Sequence, residues 1–393
     1  MSLNQSLDSR NPRRHSCITH TLVFILLLVI GVIPGRCATL KVTKEIAVSN
    51  IVGLTSTGDA YISPAYAGEY MGEIVTVSTT DFTRKSKLIR GGIGYPINAG
   101  IDNILIISPV SLGGSTRPFL MDDNYNIKYI WKELPELAGN LTIVHGSKYL
   151  GMYKNDDRQK IWMLDLETNE IGSIDIKAAR LDQYSIQGDY LLVSRMLQSY
   201  SLYSINGKLW TKEHGHEAQS IAAVSKTGIS AIRSFFNEAN YNTGRVVINI
   251  VSTDGKEKKI FDKKITGQSV IGISDNGRYT VFANERKLTM INNDDGTELW
   301  TSTLNSDLIV RNVHVNDDGS LVTNNVTDQT TFEKRTAKWV SEISVWDKTG
   351  KASAQIDLTD STPFVKLMYV TLKGDIDIVG VDRIVRLSMT EEK

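Results

Sequence analysis

Three features of this 393-residue chain predict an all-β repeat protein. A unit of four short apolar strands joined by tight turns recurs along it. The turns fall at nearly constant intervals. No long apolar pattern of period 3.6 appears after residue 40. The clearest unit is Gln268 to Leu304, QSVIGISDNGRYTVFANERKLTMINNDDGTELWTSTL. SVIGIS leads into the turn Asp275-Asn276-Gly277, RYTVFAN follows, Glu285-Arg286 reverses the chain, and KLTMINN reaches Asp295-Gly296 before ELWTSTL. The strands carry β-branched and aromatic residues. The turns carry the Asn, Asp or Gly that tight hairpins require for positive φ. One such sheet cannot bury both of its faces, so it needs copies to stack against.

The copies are counted at the first turn of each unit: Gly58, Asn103, Gly146, Gly188, Gly228, Gly277, Gly319 and Gly374. Successive spacings are 45, 43, 42, 40, 49, 42 and 55 residues. A period of about 40–45 residues with four strands per unit is the signature of a β-propeller blade. The prediction is one all-β domain over residues 39–393, an eight-bladed β-propeller of four-stranded antiparallel blades. Thr39–Ala47 (TLKVTKEIA) is a strand with no blade before it, and 364–390 supplies only three strands, FVKLMYV, DIDIVGV and IVRLSMT. The N-terminal strand is therefore expected to complete the last blade and remove its raw edge.

Charge and cysteine content exclude several classes. The chain has 44 basic and 44 acidic residues; without residues 1–38 it has 40 and 43. No basic stripe survives, which argues against a nucleic-acid partner. Residues 1–38 read as a secretory signal peptide or an uncleaved anchor: Arg13, Arg14 and His15 precede the apolar run 21–33, and Pro34 and Gly35 follow. That run is short for a bilayer span of about 20 residues. Arg36 before Cys37 departs from the pattern that precedes a lipid-modified cysteine. Cys17 and Cys37 both lie in the leader, so the repeat region has no cysteine for a disulfide or a Cys-ligated metal.

At the third turn the segment Asn292-Asn293-Asp294-Asp295-Gly296-Thr297-Glu298-Leu299-Trp300 resembles the D-x-x-T-G-x-x-x-W hairpin of quinoprotein-type (PQQ-like) propeller repeats. Asp165-Leu166-Glu167-Thr168-Asn169 keeps its first five positions with Asn for Gly. Asn206–Trp210 and Asp347–Gly350 are shortened versions. Other units, such as SLVTNN followed by SEISVWDKTG, are similar to WD40-like repeats. In both, the Trp of the outer strand is expected to cover the seam to the next blade. Quinoprotein dehydrogenases carry an adjacent-cysteine pair and a calcium held by Glu, Asn and Asp; this chain has no cysteine pair and no convergent acidic cluster, so no cofactor is expected. Asn292–Gly296 and Asn316–Gly319 do not meet EF-hand spacing. His214-Gly215-His216 lacks a third zinc ligand. Asn140-Leu141-Thr142 and Asn325-Val326-Thr327 are glycosylation sequons.

Three second turns are long where others are tight: Ser108–Pro118, Ser234–Arg245 and Asn324–Lys338. They carry Arg117, Phe235, Phe236, Tyr241, Phe332 and Arg335, residue types that anchor protein interfaces. Second-turn loops share a face with the connections between blades, so these residues are expected to form a partner-binding surface. The expected function is an exported, non-catalytic scaffold that binds protein or assists envelope assembly, secreted or periplasmic. The nearest analogue by resemblance is the propeller lipoprotein of outer-membrane protein assembly. The competing class is an enzyme, a cofactor-dependent dehydrogenase or a hydrolase, working in a central channel.

Overall fold

The computed structural model describes residues 38–48, 51, 53–54, 60–66, 71–90, 96–98, 103–107, 118–122, 126–130, 141–142, 149–153, 160–165, 168–175, 181–187, 189–195, 199–204, 206–213, 218–237, 243–266, 269–304, 307–328, 338–371 and 373–391. Every element among them is a strand. The unit that predicted the fold forms as expected: Ser269–Ile273, Tyr279–Asn284, Lys287–Asn292 and Glu298–Thr303 pair in order as one antiparallel sheet. Its first turn closes through Gly277 at φ 75°, and Glu285 at φ 51° makes the second. The third is held by Asp295, whose Oδ1 accepts the Thr297 N–H at 2.9 Å and its hydroxyl at 2.7 Å. Those bonds keep the Asp295 carboxyl below the usual range. Asp81, Asp318, Asp347 and Asp357 engage Thr83, Ser320, Thr349 and Thr359 in the same way. These turn acids stabilise their own hairpins.

Among the described residues the strands group into eight four-stranded antiparallel sheets. Numbered along the chain, the first seven span 53–90, 96–130, 141–175, 181–213, 218–266, 269–303 and 308–357. The eighth consists of Leu367–Val370, Ile376–Val379 and Arg383–Glu391 with the N-terminal strand Ala38–Ala47 along its outer edge. Leu40 opposes Met389 and Ile46 opposes Ile384 in that pairing. Two local expectations shift. Asn103, read as a turn, opens the strand Asn103–Ile107 opposite Asp122. Phe364, read as strand, precedes the first strand of the eighth sheet by three residues. The turns expected at Gly58, Gly146 and Gly188 lie outside the described residues, as does the leader up to residue 37, while Ala38 opens the N-terminal strand.

Where burial is described, period-2 alternation sends central strands into two cores. In the sixth sheet Val281 and Ala283 join Leu321 and Trp346 of the seventh. Phe282, between them, joins Phe261 and Ile248 of the fifth, with the two phenylalanine rings 4.8 Å apart. In the seventh sheet Val322 and Ile343 pack with Ile378 and Leu387 of the eighth. In the eighth, Val379 and Ile384 pack with Tyr61 and Val75 of the first. Each fully buried side chain of this kind is worth about 1.5–3 kcal/mol relative to exposure. The outer-strand tryptophans sit where expected. A Cβ placed on Gly350, a turn residue at φ 81°, would lie 2.5 Å from the Trp300 indole of the preceding sheet, so only glycine admits that contact. Trp210 approaches the Gly255 turn in the same manner.

The seam between the eighth and first sheets also holds charge. Asp377 is fully buried and accepts the Tyr61 hydroxyl at 2.6 Å and two Arg386 N–H bonds at 2.7 Å. Arg386, 5% exposed, reaches across to donate to the carbonyls of Thr79 and Thr80 and covers the Phe82 ring at 4.5 Å. Phe82 holds φ 60° in that turn. Burial and the adjacent Asp377 carboxylate raise the Tyr61 pKa far above its ordinary value, so the hydroxyl stays a donor. The seventh sheet contains a counterpart without an ion pair. Asn324 and Asn325 are both fully buried, and Asn325 donates to Ser344 Oγ at 2.8 Å and Glu342 Oε1 at 3.0 Å. The sequon at Asn325 is thereby sealed in the folded chain; Asn140 lies outside the described residues.

Two outcomes test this arrangement. Removing residues 1–48 should expose the 383–391 edge and the Leu40 site, causing aggregation or a large drop in melting temperature. A truncated chain with wild-type melting would show that the outer strand is dispensable. Arg386→Met should cost about 3–5 kcal/mol by stranding the buried Asp377 charge. Replacing both, Asp377→Leu with Arg386→Met, should recover a substantial part of that loss in denaturant unfolding.

Candidate partner-binding face

The chain reversals fall on two sides of the sheet stack. The second turn of the sixth sheet and its connection to the seventh lie together: Arg286 donates to Asp307 Oδ1 and to the Leu304 carbonyl, both at 3.1 Å, and the Leu304 N–H returns to the Arg286 carbonyl. Second turns and inter-sheet connections therefore share a face there, as the sequence argument requires. First turns line the other face. Lys226 pairs with Asp275 at 2.6 Å, and Asp317 accepts the Asn276 N–H at 2.9 Å, linking the fifth, sixth and seventh sheets.

The structure redistributes the residues proposed from sequence. Phe235 is not a loop residue: strands Ser230–Asn237 and Thr243–Val251 extend into the supposed insertion, leaving a connection at 238–242. Phe235 is 6% exposed and packs with Val246, Ile248 and Phe261. The sequence reading failed because an aromatic pair followed by Asn and Glu looks the same in a long hairpin as in a loop. Phe236 lies on the same strand opposite Arg245 and is partly buried. In the seventh sheet the strand Leu321–Thr327 likewise absorbs the first four residues of the Asn324–Lys338 insertion. Arg117, Tyr241, Phe332 and Arg335 lie outside the described residues.

Where the seventh-sheet insertion rejoins the fold, an aromatic platform forms that the sequence reading missed. Thr327 clamps the base of the loop, its N–H donating to the Val340 carbonyl while its hydroxyl bonds Val340 N–H and the Lys338 carbonyl. The next residue, Trp339, donates its indole N–H to the Pro363 carbonyl at 2.6 Å. Its ring lies 5.3 Å from that of Phe364, with the planes 32° apart. Phe364 is 54% exposed, and Val381, in the second turn of the eighth sheet, is 52% exposed. A large aromatic left this open on a connection that is otherwise hydrogen-bonded invites coverage.

Arg311 adds a charge to the platform. In the first strand of the seventh sheet the register jumps between Val310 and Asn312, leaving Arg311 as the extra residue of a β-bulge. A bulge re-aims the side chain it carries. Arg311 is exposed, and its guanidinium carbon sits 5.8 Å above the Trp339 ring. Trp339, next to the end of the Asn324–Lys338 insertion, and Pro363 are signals that could mark the site, although Phe364 reads as the start of a strand. The bulge had no such signal, because Leu308–Val315 reads as an ordinary strand. Elsewhere, among the described residues, no group of three His, Cys, Asp or Glu side chains converges to hold a metal.

Exposed and core aromatics should separate cleanly. Phe364→Ser should change unfolding free energy by within about 0.5 kcal/mol. Phe235→Ala should cost about 3–5 kcal/mol. A Phe364 variant that melts as early as the Phe235 variant would place Phe364 in the core instead.

No family model matches this chain, and no curated protein matches it by sequence. Solved structures do. The C-terminal WD40 domain of Sif2 is similar with a TM-score of 0.53 and 9% identity, covering 91% of this chain and 100% of that one. The WD40 β-propeller domain of Doa1 (TM-score 0.45, 12% identity, 91% and 98% coverage) and Kluyveromyces lactis Hsv2 (0.46, 11%, 79% and 98%) are also similar. None of these likenesses supports the quinoprotein-type relationship expected from the third-turn hairpins. At such identity the comparison speaks to architecture, and the architecture is that of a WD40-like β-propeller.

Proposed function

We propose that this chain is an exported, non-catalytic scaffold, an eight-bladed propeller closed by its N-terminal strand, that binds a protein partner through the face carrying its second turns. Ring closure is supported by the pairing of Ala38–Ala47 with Arg383–Glu391 and by the shared core of the eighth and first sheets. Export to the cell envelope rests on the leader sequence at 1–38. The observation that carries the reading is the Phe364 ring, 54% exposed and stacked beside Trp339 under Arg311. Aromatic and arginine side chains in this arrangement are the usual anchors of interfaces. The loops bearing Arg117, Tyr241, Phe332 and Arg335 belong to the same surface in this reading, and Phe236 borders it. No cofactor or metal enters the proposed function.

Site-specific photo-crosslinking in the native envelope tests the face. A crosslinker at position 364 should capture a discrete partner, and one at Asn276 on the opposite face should not. Phe364→Ser should weaken capture by about 1–4 kcal/mol equivalent. Equal capture from both faces, or none from position 364, would overturn the assignment. Export has its own test. Replacing Leu26, Leu27 and Leu28 with Asp should hold the chain in the cytoplasm, and N-terminal sequencing of the wild-type protein should start between 36 and 39. A chain that still begins at Met1 in the membrane fraction would establish the anchor instead.

A further inference from the structure

We infer that the segment docking on the Arg311–Trp339–Phe364 platform is an extended peptide carrying a carboxylate a few residues from an apolar side chain. This rests on the assignment of the partner to this face and adds the chemistry of what binds there. Arg245, Arg286, Arg383 and Arg386 each form an ion pair with an Asp or Glu. Arg311 forms none among the described residues, although it is exposed and a bulge has turned it out of register. Its guanidinium carbon lies 5.8 Å over the Trp339 ring. Among the described residues no acid takes up its N–H donors, whose fork matches a carboxylate.

The surroundings favour an anionic group with an apolar neighbour. Lys338 and Lys366 are exposed beside the platform. The nearby acids are Asp357, whose Oδ1 is bonded by both the N–H and the hydroxyl of Thr359, and the exposed Asp360. Among the described residues Asp382, beside Val381, is paired with Arg383, which leaves Arg311, Lys338 and Lys366 against Asp357 and Asp360. The steps from Arg311 to Trp339 and from Trp339 to Phe364 are 5.8 and 5.3 Å, so Arg311 and Phe364 are at most about 11 Å apart. That distance is three to four residues of extended chain at about 3.3 Å each. Phe364 and Val381 offer the apolar half of the contact, each more than half exposed. A single peptide can therefore pair its carboxylate with Arg311 and lay an aliphatic or aromatic side chain on Phe364.

Selection from a random heptapeptide display library on the purified, folded chain tests this. On the wild type, enriched sequences should place Asp or Glu within four residues of Phe, Leu or Trp. On Arg311→Glu, selection should turn to Lys or Arg at the same position. A fluorescent copy of the top peptide should bind Arg311→Glu at least tenfold more weakly and Arg278→Glu, on the opposite face, equally well. Its affinity should also fall with added salt. Enrichment of neutral or basic sequences, no enrichment, or at least tenfold tighter binding when phosphoserine replaces the acid would each overturn the carboxylate assignment. So would a dimer in analytical ultracentrifugation that Phe364→Ser dissolves, since a second copy would then be the occupant. If acidic enrichment fails while Phe364→Ser still abolishes crosslinking, only the peptide chemistry falls. If Phe364→Ser changes neither selection nor crosslinking, the face itself is misassigned.

Discussion

A four-stranded sheet with two apolar faces and no helix to cover them is stable only against another sheet, and everything else in this molecule follows from that. The alternation of Val281, Phe282 and Ala283 between two neighbouring cores is the local expression of it. Among the described residues the fourth to eighth sheets each share a core with the next, and the eighth shares one with the first. The constraint is hardest at the ends of the chain, where the first and last sheets would each present a bare face. The core shared by Tyr61, Val75, Val379 and Ile384 answers it, and the strand 38–47 covers the remaining edge.

The same seam shows how polarity is used for register where apolar packing alone is permissive. Hydrophobic side chains tolerate sliding. A buried carboxylate with three donors at 2.6–2.7 Å does not. Arg386 fixes the neighbouring sheet as well, because its remaining N–H groups end on the carbonyls of the turn holding Phe82 at positive φ. A buried ion pair adds little net stability over apolar packing. Its role here is to define one mating of the two sheets. The Asn325–Ser344–Glu342 network inside the seventh sheet acts in the same way without a buried ion pair.

The proposed binding platform is built from what this architecture leaves over. Inter-sheet connections must run across a face, and the one before the eighth sheet contains Pro363, whose carbonyl receives the Trp339 indole. Trp339 is thus oriented by the frame, and Phe364, next to Pro363, is left 54% exposed. Rigid strands on both sides hold the ring pair in place, so a partner need not order it on arrival. The face opposite, tied by Lys226–Asp275 and Asn276–Asp317, has its charges and amides engaged with one another.

Most of the fold could be read from the chain alone. Spacing of turn residues, strand composition, the unpartnered N-terminal strand and the seam tryptophans all report local geometry or a fixed period, and those properties are written in adjacent residues. The D-x-T and D-x-S turns are of this kind, since the acid bonds a residue two positions away. The misreadings were at strand ends, where Phe235 and Asn324 had the composition of loops but continued the pairing of their sheets. Nothing local distinguishes a long hairpin from an insertion; the partner strand decides it. The platform was illegible for a related reason. Arg311, Trp339 and Phe364 are separated by 28 and 25 positions, and one of them points outward only because the register slips at a bulge. Sequence by itself determined that four-stranded sheets would form and where several of their turns would fall, those at Gly228, Gly277, Gly319 and Gly374 among the described residues. Tertiary structure alone decided which side chains the cores would absorb, because burial depends on what the neighbouring sheet presents and not on the residue's own neighbours in the chain.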